Sequence, residues 1–196
     1  DIAEIINGFL PPVSGKILVG GKEIPWAKER NLLLNGVAYI PENPVPKTLF
    51  YDISYLENLT FLIDRKLKRS IIGKKVLRSI KEEYRALAGA EIEATDLWRL
   101  EMKSLYNLVY FRLLLYKPKV VFIMQPFSQA DMYLRGRIIE LIKMLKEKEI
   151  AVVILAVSIS DTLKVTDRLL IMEDGKLAPS SHQFKDLPSF VPGYQE

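Results

Sequence analysis

The strongest apolar pattern in the chain is a short run that leads directly into a polar loop. Val120 to Ile123 are β-branched or aromatic residues, bounded by Pro118 and Pro126. Such a run predicts a central parallel strand that is covered on both faces. Three segments flank it, and their order predicts a right-handed crossover unit of an α/β sheet: a helix at Leu105–Tyr116, a helix at Tyr133–Lys148 and a buried strand at Ile150–Val157.

The residues before this unit predict a helix, a hairpin and one more strand. Asp1–Leu10 is expected to form a helix that Gly8 and the following prolines end, with an apolar face made of Ile2, Ile5, Ile6 and Phe9. Residues 13–24 predict two strands joined by a turn at Gly20-Gly21. Residues 37–40 predict a short strand.

The middle of the chain predicts helices, and its end predicts a second hairpin. Ser54 is a candidate N-cap, and Glu57 three residues later completes a capping box. Asp174-Gly175 predicts a hairpin turn, and the residues from Ala178 are expected to be extended or loosely ordered. Ser70–Ala90 predicts an amphipathic helix with an apolar face made of Val76, Ile80, Tyr84 and Leu87.

Composition bounds the domain count and the partners. The chain has 196 residues, of which 49% are hydrophobic, so it can form one domain with a substantial core. The net charge is +4, and basic residues are densest at Arg65–Arg69. We interpret this run as a solvated helix face, with a patch for anionic lipid headgroups or nucleic acid as the alternative. No aromatic-interleaved basic motif supports nucleic acid as a partner.

The sequence excludes several kinds of site. It contains no Cys and a single His, His182, which excludes a disulfide framework and a zinc site built on His and Cys. No apolar run reaches the roughly 18 residues that a membrane span needs, and the first residues do not have the pattern of a signal peptide. We therefore expect a cytoplasmic protein that reaches a membrane only through partners.

The segment Lys117–Asp131, KPKVVFIMQPFSQAD, resembles the Walker B strand and D-loop of ABC-transporter ATPases. The family pattern is four apolar residues, then Asp, Glu and Pro, and a final Asp a few residues on. Pro126 and Asp131 match this pattern. Met124 stands at the position of the metal-associated Asp, and Gln125 stands at that of the catalytic Glu. The resemblance thus implies an intact strand with impaired chemistry.

Other segments resemble the same family in the same order. Asn35–Asn43, NGVAYIPEN, is similar to the second ATPase half of carbohydrate-type and nucleoside-type importers, with Glu42 near the place of a loop Gln. The resemblance implies the ABC-type P-loop NTPase fold, an α/β fold with an antiparallel hairpin part and a helical insertion. Another open α/β sheet with a helical insertion is the alternative. Scaffold positions that match are Gly8, Leu10, Pro12, Ser14, Gly15, Ile17, Gly21, Ser54, Glu57, Asn58, Arg112, Leu163, Thr166, Asp167, Arg168, Met172 and Gly175.

Catalytic elements of the family are missing from the sequence. The phosphate loop, GxxGxGK[ST], and the strands before it do not occur, so we expect a piece of a longer polypeptide unless something else fills the gap. The signature LSGGQ is replaced by Leu100–Ser104, LEMKS, whose side chains would block close approach to a phosphate. The switch His is replaced by Val157, or by Ser158 if the alignment shifts by one residue.

The resemblance implies a function and a set of partners. The chain would be the ATP-binding subunit or half-subunit of an importer for sugars or nucleosides, with ATP and Mg²⁺ as the family's cofactors. A second ABC ATPase domain and transmembrane permease subunits would be its partners, at the cytoplasmic face of the plasma membrane. The alternative is a pseudo-ATPase that binds no nucleotide and serves as an interaction module. Whether this chain is itself an enzyme stays open.

The resemblance also implies domain parts and site residues. Residues 1–43 and 106–177 would form the core of a single domain, 44–105 a helical subdomain and 178–196 a tail. The helical insertion docks onto the membrane subunit in the family, and packing on its own core is the alternative. Asp131 has the alternative role of a helix cap, and Glu42 that of a solvated turn residue. No metal ligand is assigned, and the candidate site residues are Gln125 for catalysis and Glu42, Ser104, Asp131 and Val157 for nucleotide or interface contacts.

Overall fold

The computed structural model describes residues 2–6, 9–24, 31–63, 73–157, 162–177 and 182–183. The chain divides into two compact units, Asp1–Leu155 and Ala156–Glu196. The division into core, helical subdomain and tail stays a prediction. Four sequence predictions concern residues outside the described ranges: Gly8, the run Arg65–Arg69, Ser158 and most of the tail from Ala178.

The described part of the first unit contains five strands and seven α-helices. Its strands are β1 Leu18–Val19, β2 Lys22–Glu23, β3 Val37–Ile40, β4 Val120–Met124 and β5 Ala151–Leu155. Two 3₁₀ turns span Gly89–Glu93 and Leu97–Arg99. Its helices are α1 Ile2–Ile6, α2 Asn31–Leu34, α3 Pro44–Thr48, α4 Tyr55–Thr60, α5 Lys74–Ala88, α6 Met102–Tyr116 and α7 Met132–Glu147.

A three-stranded parallel sheet in the order β3-β4-β5 positions the site. Val121 and Ile123 of β4 are fully buried, while Val120 and Phe122 on the opposite face pack against an apolar cluster that includes Val37. The prediction of a central strand covered on both faces is therefore confirmed. The parallel pairing of β4 with β5 around α7 also confirms the crossover unit.

Helix α6 is the centre of the unit because it is apolar on nearly all sides. Twelve of its fifteen residues are buried, as expected for a helix without a polar face. After it, the chain enters β4 beside Gly36, whose carbonyl accepts hydrogen bonds from the N–H groups of Lys119 and Val120 at 2.8 and 3.0 Å. Gly36 has φ +90°, and a Cβ there would lie 2.9 Å from Cγ of Lys119. Only glycine fits this close approach of the two backbone segments without strain.

The predicted turns and caps are present. The β1–β2 hairpin turns at Gly20-Gly21, and α4 begins with the expected capping box. The Glu57 N–H donates to the Ser54 hydroxyl at 3.3 Å, and the Ser54 N–H donates to the Glu57 carboxylate at 2.8 Å.

Burial differs from the sequence predictions at three places. The first helix ends at Ile6 within the described residues, and Phe9 is 78% exposed. Only Ile80 and Tyr84 of the apolar face of α5 are buried, while Val76 and Leu87 are exposed. The strand expected to be buried, β5, pairs only with β4 among the described strands, so Val153 is 37% exposed.

The second unit contains two small antiparallel pairs. The pair β6 Arg168–Leu169 and β9 His182–Gln183 joins distant residues. The pair β7 Met172–Glu173 and β8 Lys176–Leu177 is the predicted hairpin, which turns at Asp174-Gly175. A 3₁₀ turn spans Thr162–Lys164. No described helix of either unit has the length and apolar character needed to cross a membrane.

Candidate functional site at the edge of the parallel sheet

The carboxyl ends of β3 and β4 meet at one edge of the sheet. The two strands are parallel and Ile40 pairs with Ile123, so the loops that follow them begin side by side. Open α/β sheets bind ligands outside this edge. These loops carry two of the predicted site residues, Glu42 and Gln125, and the candidate site is therefore placed here.

Both loops contain a non-glycine residue with a left-handed backbone. Asn43 has φ +49° and Gln125 has φ +44°. Hydrogen bonds hold Gln125 in place, because its N–H donates to the Leu155 carbonyl at 2.9 Å and its carbonyl accepts from the Ser128 N–H at 3.2 Å. Left-handed residues other than glycine are uncommon and cost free energy, and they occur preferentially at functional sites.

A small recess lies between the two loops and helix α6. The centre of a water molecule can move within only about 10 Å³ of it, which is the space for about one water. Burial raises the pKa of both Tyr106 and Tyr110, so their hydroxyl groups stay neutral at physiological pH. The recess is lined by Ile40, Pro41, Asn43, Pro44, Tyr106, Tyr110, Met124, Gln125, Pro126 and Ser128.

The donor groups at the end of β4 restrict the chemistry of this recess. The Gln125 amide can donate and accept hydrogen bonds, and so can orient a water, but it cannot take a proton from that water. The thioether of Met124 and the amide of Gln125 do not fit the Mg²⁺ that the fold family implies, since Mg²⁺ prefers carboxylate, phosphate and water oxygens. Across the described ranges, no group of three or more His, Cys, Asp or Glu residues could hold a metal ion.

Three of the other predicted site residues lie near helix or strand ends. Asp131 is the N-cap of α7, and its carboxylate accepts the Leu134 N–H at 2.8 Å, so the capping alternative is confirmed. Glu42 is half-buried in the loop after β3. Val157 is 89% exposed and belongs to the second unit. Interface or nucleotide roles for these residues stay predictions.

Ser104 lies inside the helical part of the first unit. The segment Leu100–Ser104, which is predicted to take the place of the signature, leads into α6, with Glu101 at the N-cap and Met102 as the first helical residue. Ser104 is buried, and its hydroxyl donates to the carboxylate of Glu91. Its side chain is therefore already engaged within the chain, while its predicted nucleotide or interface role stays a prediction.

A buried polar contact beside the site was not predicted from the sequence. Arg112 of α6 donates to the Asn58 carbonyl at 2.9 Å, to Asn58 Oδ1 at 3.1 Å and to the Thr48 carbonyl at 2.7 Å. Asn58 in turn exchanges hydrogen bonds with the backbone of Phe50 at 2.7 and 2.9 Å. These contacts tie α6 to α3 and α4, directly after the Glu42 loop. An arginine within the apolar run LVYFRLLLY was the signal for them.

The parallel sheet, the hairpin and the helices between β3 and β4 define an open α/β domain. Its fold is that of the ATP-binding cassettes of ABC transporters. The structure of cbiO1 from Clostridium perfringens, part of the ABC transporter complex cbiONQ, has a TM-score of 0.74 at 18% identity and covers 96% of this chain and 74% of that one. An ATP-binding cassette of an ABC transporter in its ADP conformation has a TM-score of 0.75 at 19% identity, with 96% and 78% covered.

The similar curated proteins are ATP-binding proteins of importers. The ribose import ATP-binding protein RbsA of Caldanaerobacter subterraneus subsp. tengcongensis is 25% identical over an alignment of 181 residues that covers 90% of this chain and 36% of RbsA. The molybdate/tungstate import ATP-binding protein WtpC of Thermococcus kodakarensis is 28% identical over an alignment of 188 residues that covers 90% of this chain and 51% of WtpC. The chain thus spans about a third to a half of these relatives. No protein-family model matches it.

Proposed function

We propose that this chain is the ATP-binding subunit or half-subunit of an ABC importer and that its own catalytic motifs are degenerate. A second ABC ATPase domain hydrolyses ATP with Mg²⁺, and this chain couples that cycle to transmembrane permease subunits at the cytoplasmic face of the plasma membrane. The observation that carries the proposal is Gln125. This neutral side chain is held in a left-handed turn at the end of β4, where the resemblance implies a catalytic carboxylate.

Phosphoryl-transfer chemistry supports the degenerate part of the proposal. Hydrolysis of ATP requires an oriented water and stabilisation of the charge on the transferred phosphoryl group, which Mg²⁺ usually helps to provide. Gln125 supplies only the orientation, and Met124 supplies no ligand that suits Mg²⁺. Asp131, the nearest carboxylate along the loop, is already engaged as the cap of α7. We therefore expect little or no hydrolysis at this edge.

The transported solute is proposed from similarity alone. The segment NGVAYIPEN resembles carbohydrate-type and nucleoside-type importers, and RbsA is a ribose import protein. WtpC imports molybdate or tungstate, so the two relatives differ in solute. We propose a sugar or a nucleoside, and uptake of radiolabelled ribose and uridine by cells with and without the natural protein tests the choice. Loss of molybdate uptake alone would contradict it.

ATP turnover by the natural protein with its permease tests the catalytic part of the proposal. Gln125→Ala is compared with Gln129→Ala, a matched control because Gln129 is an exposed residue of the same loop. We expect both variants to keep turnover within about twofold of the unchanged protein, since a neutral amide adds no acid–base catalysis. A loss of about a hundredfold in Gln125→Ala alone would show that this edge does hydrolyse ATP.

A second candidate function is an interaction module that binds no nucleotide. The recess at the sheet edge has room for about one water. Calorimetric titration of the chain with ATP and Mg²⁺ separates the two candidates. Tight binding excludes the module, whereas no heat up to millimolar ATP supports it and assigns the nucleotide to the partner domain.

A further inference from the structure

Two tyrosines of α6 line the recess beside the turn at Gln125. Tyr106 and Tyr110 are four residues apart, so their side chains leave the same face of the helix. They are only 5% and 1% exposed. Burial raises the pKa of Tyr110, and the nearby Tyr106 raises it further, so the two hydroxyl groups lie near each other.

Neither of these hydroxyl groups forms a hydrogen bond with a residue that the structure describes. By contrast, Tyr116 at the end of the same helix donates to the Leu33 carbonyl at 2.7 Å. A buried hydroxyl group without a partner costs free energy, and most buried side-chain polar atoms bond either to the protein or to ordered water. A partner for Tyr106 and Tyr110 is therefore expected in the recess that they line.

The recess has the size and the lining of a site for a single water molecule. The centre of a water can move within about 10 Å³ of it, and a buried water needs two to four polar partners. Besides the two tyrosines, the polar residues Asn43, Gln125 and Ser128 line it, and none of its described lining residues is charged. A larger ligand lacks room here, and an ion lacks an opposite charge.

We propose that one ordered water molecule occupies this recess and that Tyr106 and Tyr110 hold it against the turn after β4. The water exchanges hydrogen bonds with the two hydroxyl groups and with a polar group of the turn Gln125–Ser128. The left-handed backbone of Gln125 has to be held by its surroundings. The Leu155 carbonyl holds it from the side of β5, and the water holds it from the side of α6. This water is a structural group and not a nucleophile, and the inference does not depend on the proposed function.

A crystal structure of the natural protein at high resolution tests the inference directly. We expect one peak of solvent density in the recess, at a hydrogen-bond distance of about 2.5–3.0 Å from the hydroxyl oxygens of both Tyr106 and Tyr110. A recess without a solvent peak would overturn the inference. A direct hydrogen bond between the two hydroxyl groups would also overturn it, because they would then need no water.

Removal of each hydroxyl group tests the same water by its effect on stability. Tyr106→Phe and Tyr110→Phe keep the ring and remove the hydroxyl group, and each is expected to lower the urea midpoint by about 0.3–0.5 M. The matched control is Tyr55→Phe, because the Tyr55 hydroxyl is also buried without a described partner but Tyr55 does not line the recess. Its midpoint should be unchanged or higher. The same outcome in all three variants would overturn the inference.

Amide hydrogen exchange separates a link to the turn from a general loss of stability. The Ser128 N–H bonds to the Gln125 carbonyl at 3.2 Å and reports on the turn, whereas the Leu134 N–H bonds to the cap of α7 and lies outside it. We expect Tyr106→Phe and Tyr110→Phe to speed exchange at Ser128 about tenfold and at Leu134 less than about twofold. Equal acceleration at the two amides, or none at Ser128, would contradict the role of the water in holding the turn.

Discussion

Replacing Arg112 with Met tests the buried contact that ties α6 to the helices before it. Arg112 is only 6% exposed, and its guanidinium donates three hydrogen bonds, two to Asn58 and one to the Thr48 carbonyl. Met has a similar length but no donor. The variant therefore removes the three bonds and the cation–π contact with the ring of Phe61, whose centroid lies 5.9 Å from the guanidinium carbon, while it keeps a side chain of similar length.

The expected loss follows from two opposing effects. Hydrogen bonds to a charged group contribute about 1.5–3 kcal/mol each. Burial lowers the pKa of Arg112 to about 10, and this desolvation costs the native state about 3 kcal/mol. The Asn58 oxygen atoms keep other donors, Phe50 N–H at 2.9 Å and Phe61 N–H at 3.4 Å. We expect Arg112→Met to lower the free energy of unfolding by about 3 kcal/mol.

Urea unfolding followed by circular dichroism measures this loss. With a slope of about 2–3 kcal/mol per molar urea, the midpoint should fall by about 1–1.5 M. The control is Arg99→Met, because the Arg99 side chain is 86% exposed and its ion pair with Asp96 lies at the surface, so its effect should be within about 0.5 kcal/mol. Equal midpoints for the two variants would refute the role assigned to Arg112.

Two further predictions concern single hydroxyl and carboxyl groups. The buried Tyr55 hydroxyl has no hydrogen-bond partner in the described structure, whereas the Tyr116 hydroxyl donates to the Leu33 carbonyl at 2.7 Å. Tyr55→Phe should therefore leave the free energy of unfolding unchanged or raise it by up to about 1 kcal/mol, and Tyr116→Phe should lower it by about 1 kcal/mol. Equal losses of unfolding free energy in the two variants, measured by urea unfolding, would contradict this prediction. The hydroxyl and N–H of Ser54 lower the pKa of Glu57, so the stabilisation from its charged form is present above the unfolded pKa and is lost as pH falls through the lowered pKa. The stability advantage over Glu57→Gln should shrink below about pH 4.3, and a constant difference from pH 7 to 3 would show that the carboxylate charge is irrelevant.

Features that depend on local sequence could be predicted well. The capping box at Ser54, the turn at Gly20-Gly21 and the strand Val120–Met124 each follow from residues within one or two turns of one another. Hydrogen-bond geometry and β-branching act at that range, so no tertiary information was needed. The order of these elements was then enough to predict the α/β fold class.

Burial could not be predicted where it depends on which elements pack together. Val153 belongs to an apolar strand, yet it is partly exposed because β5 pairs only with β4 among the described strands. Val76 and Leu87 continue the apolar spacing of α5 but lie beyond the stretch that packs, which is centred on Ile80 and Tyr84. Periodicity shows which residues share a face, whereas the extent of the covering surface is a property of the tertiary structure.

At the candidate site, the residue types can be compared from the sequence, whereas the backbone conformation is known only from the structure. Comparison of residue types predicts that Gln125 and Met124 stand at the positions of the family's carboxylates, and this assignment stays a prediction. The left-handed backbone of Gln125 has no sequence signature, since Gln is rarely found in that conformation, whereas Asn43 is of a residue type that adopts it more often. A strained turn has to be held by its surroundings, and here the bonds from Gln125 to Leu155 and from Ser128 to Gln125 hold it. The structure therefore shows how the turn after β4 is held, whereas the catalytic position of Gln125 stays a prediction.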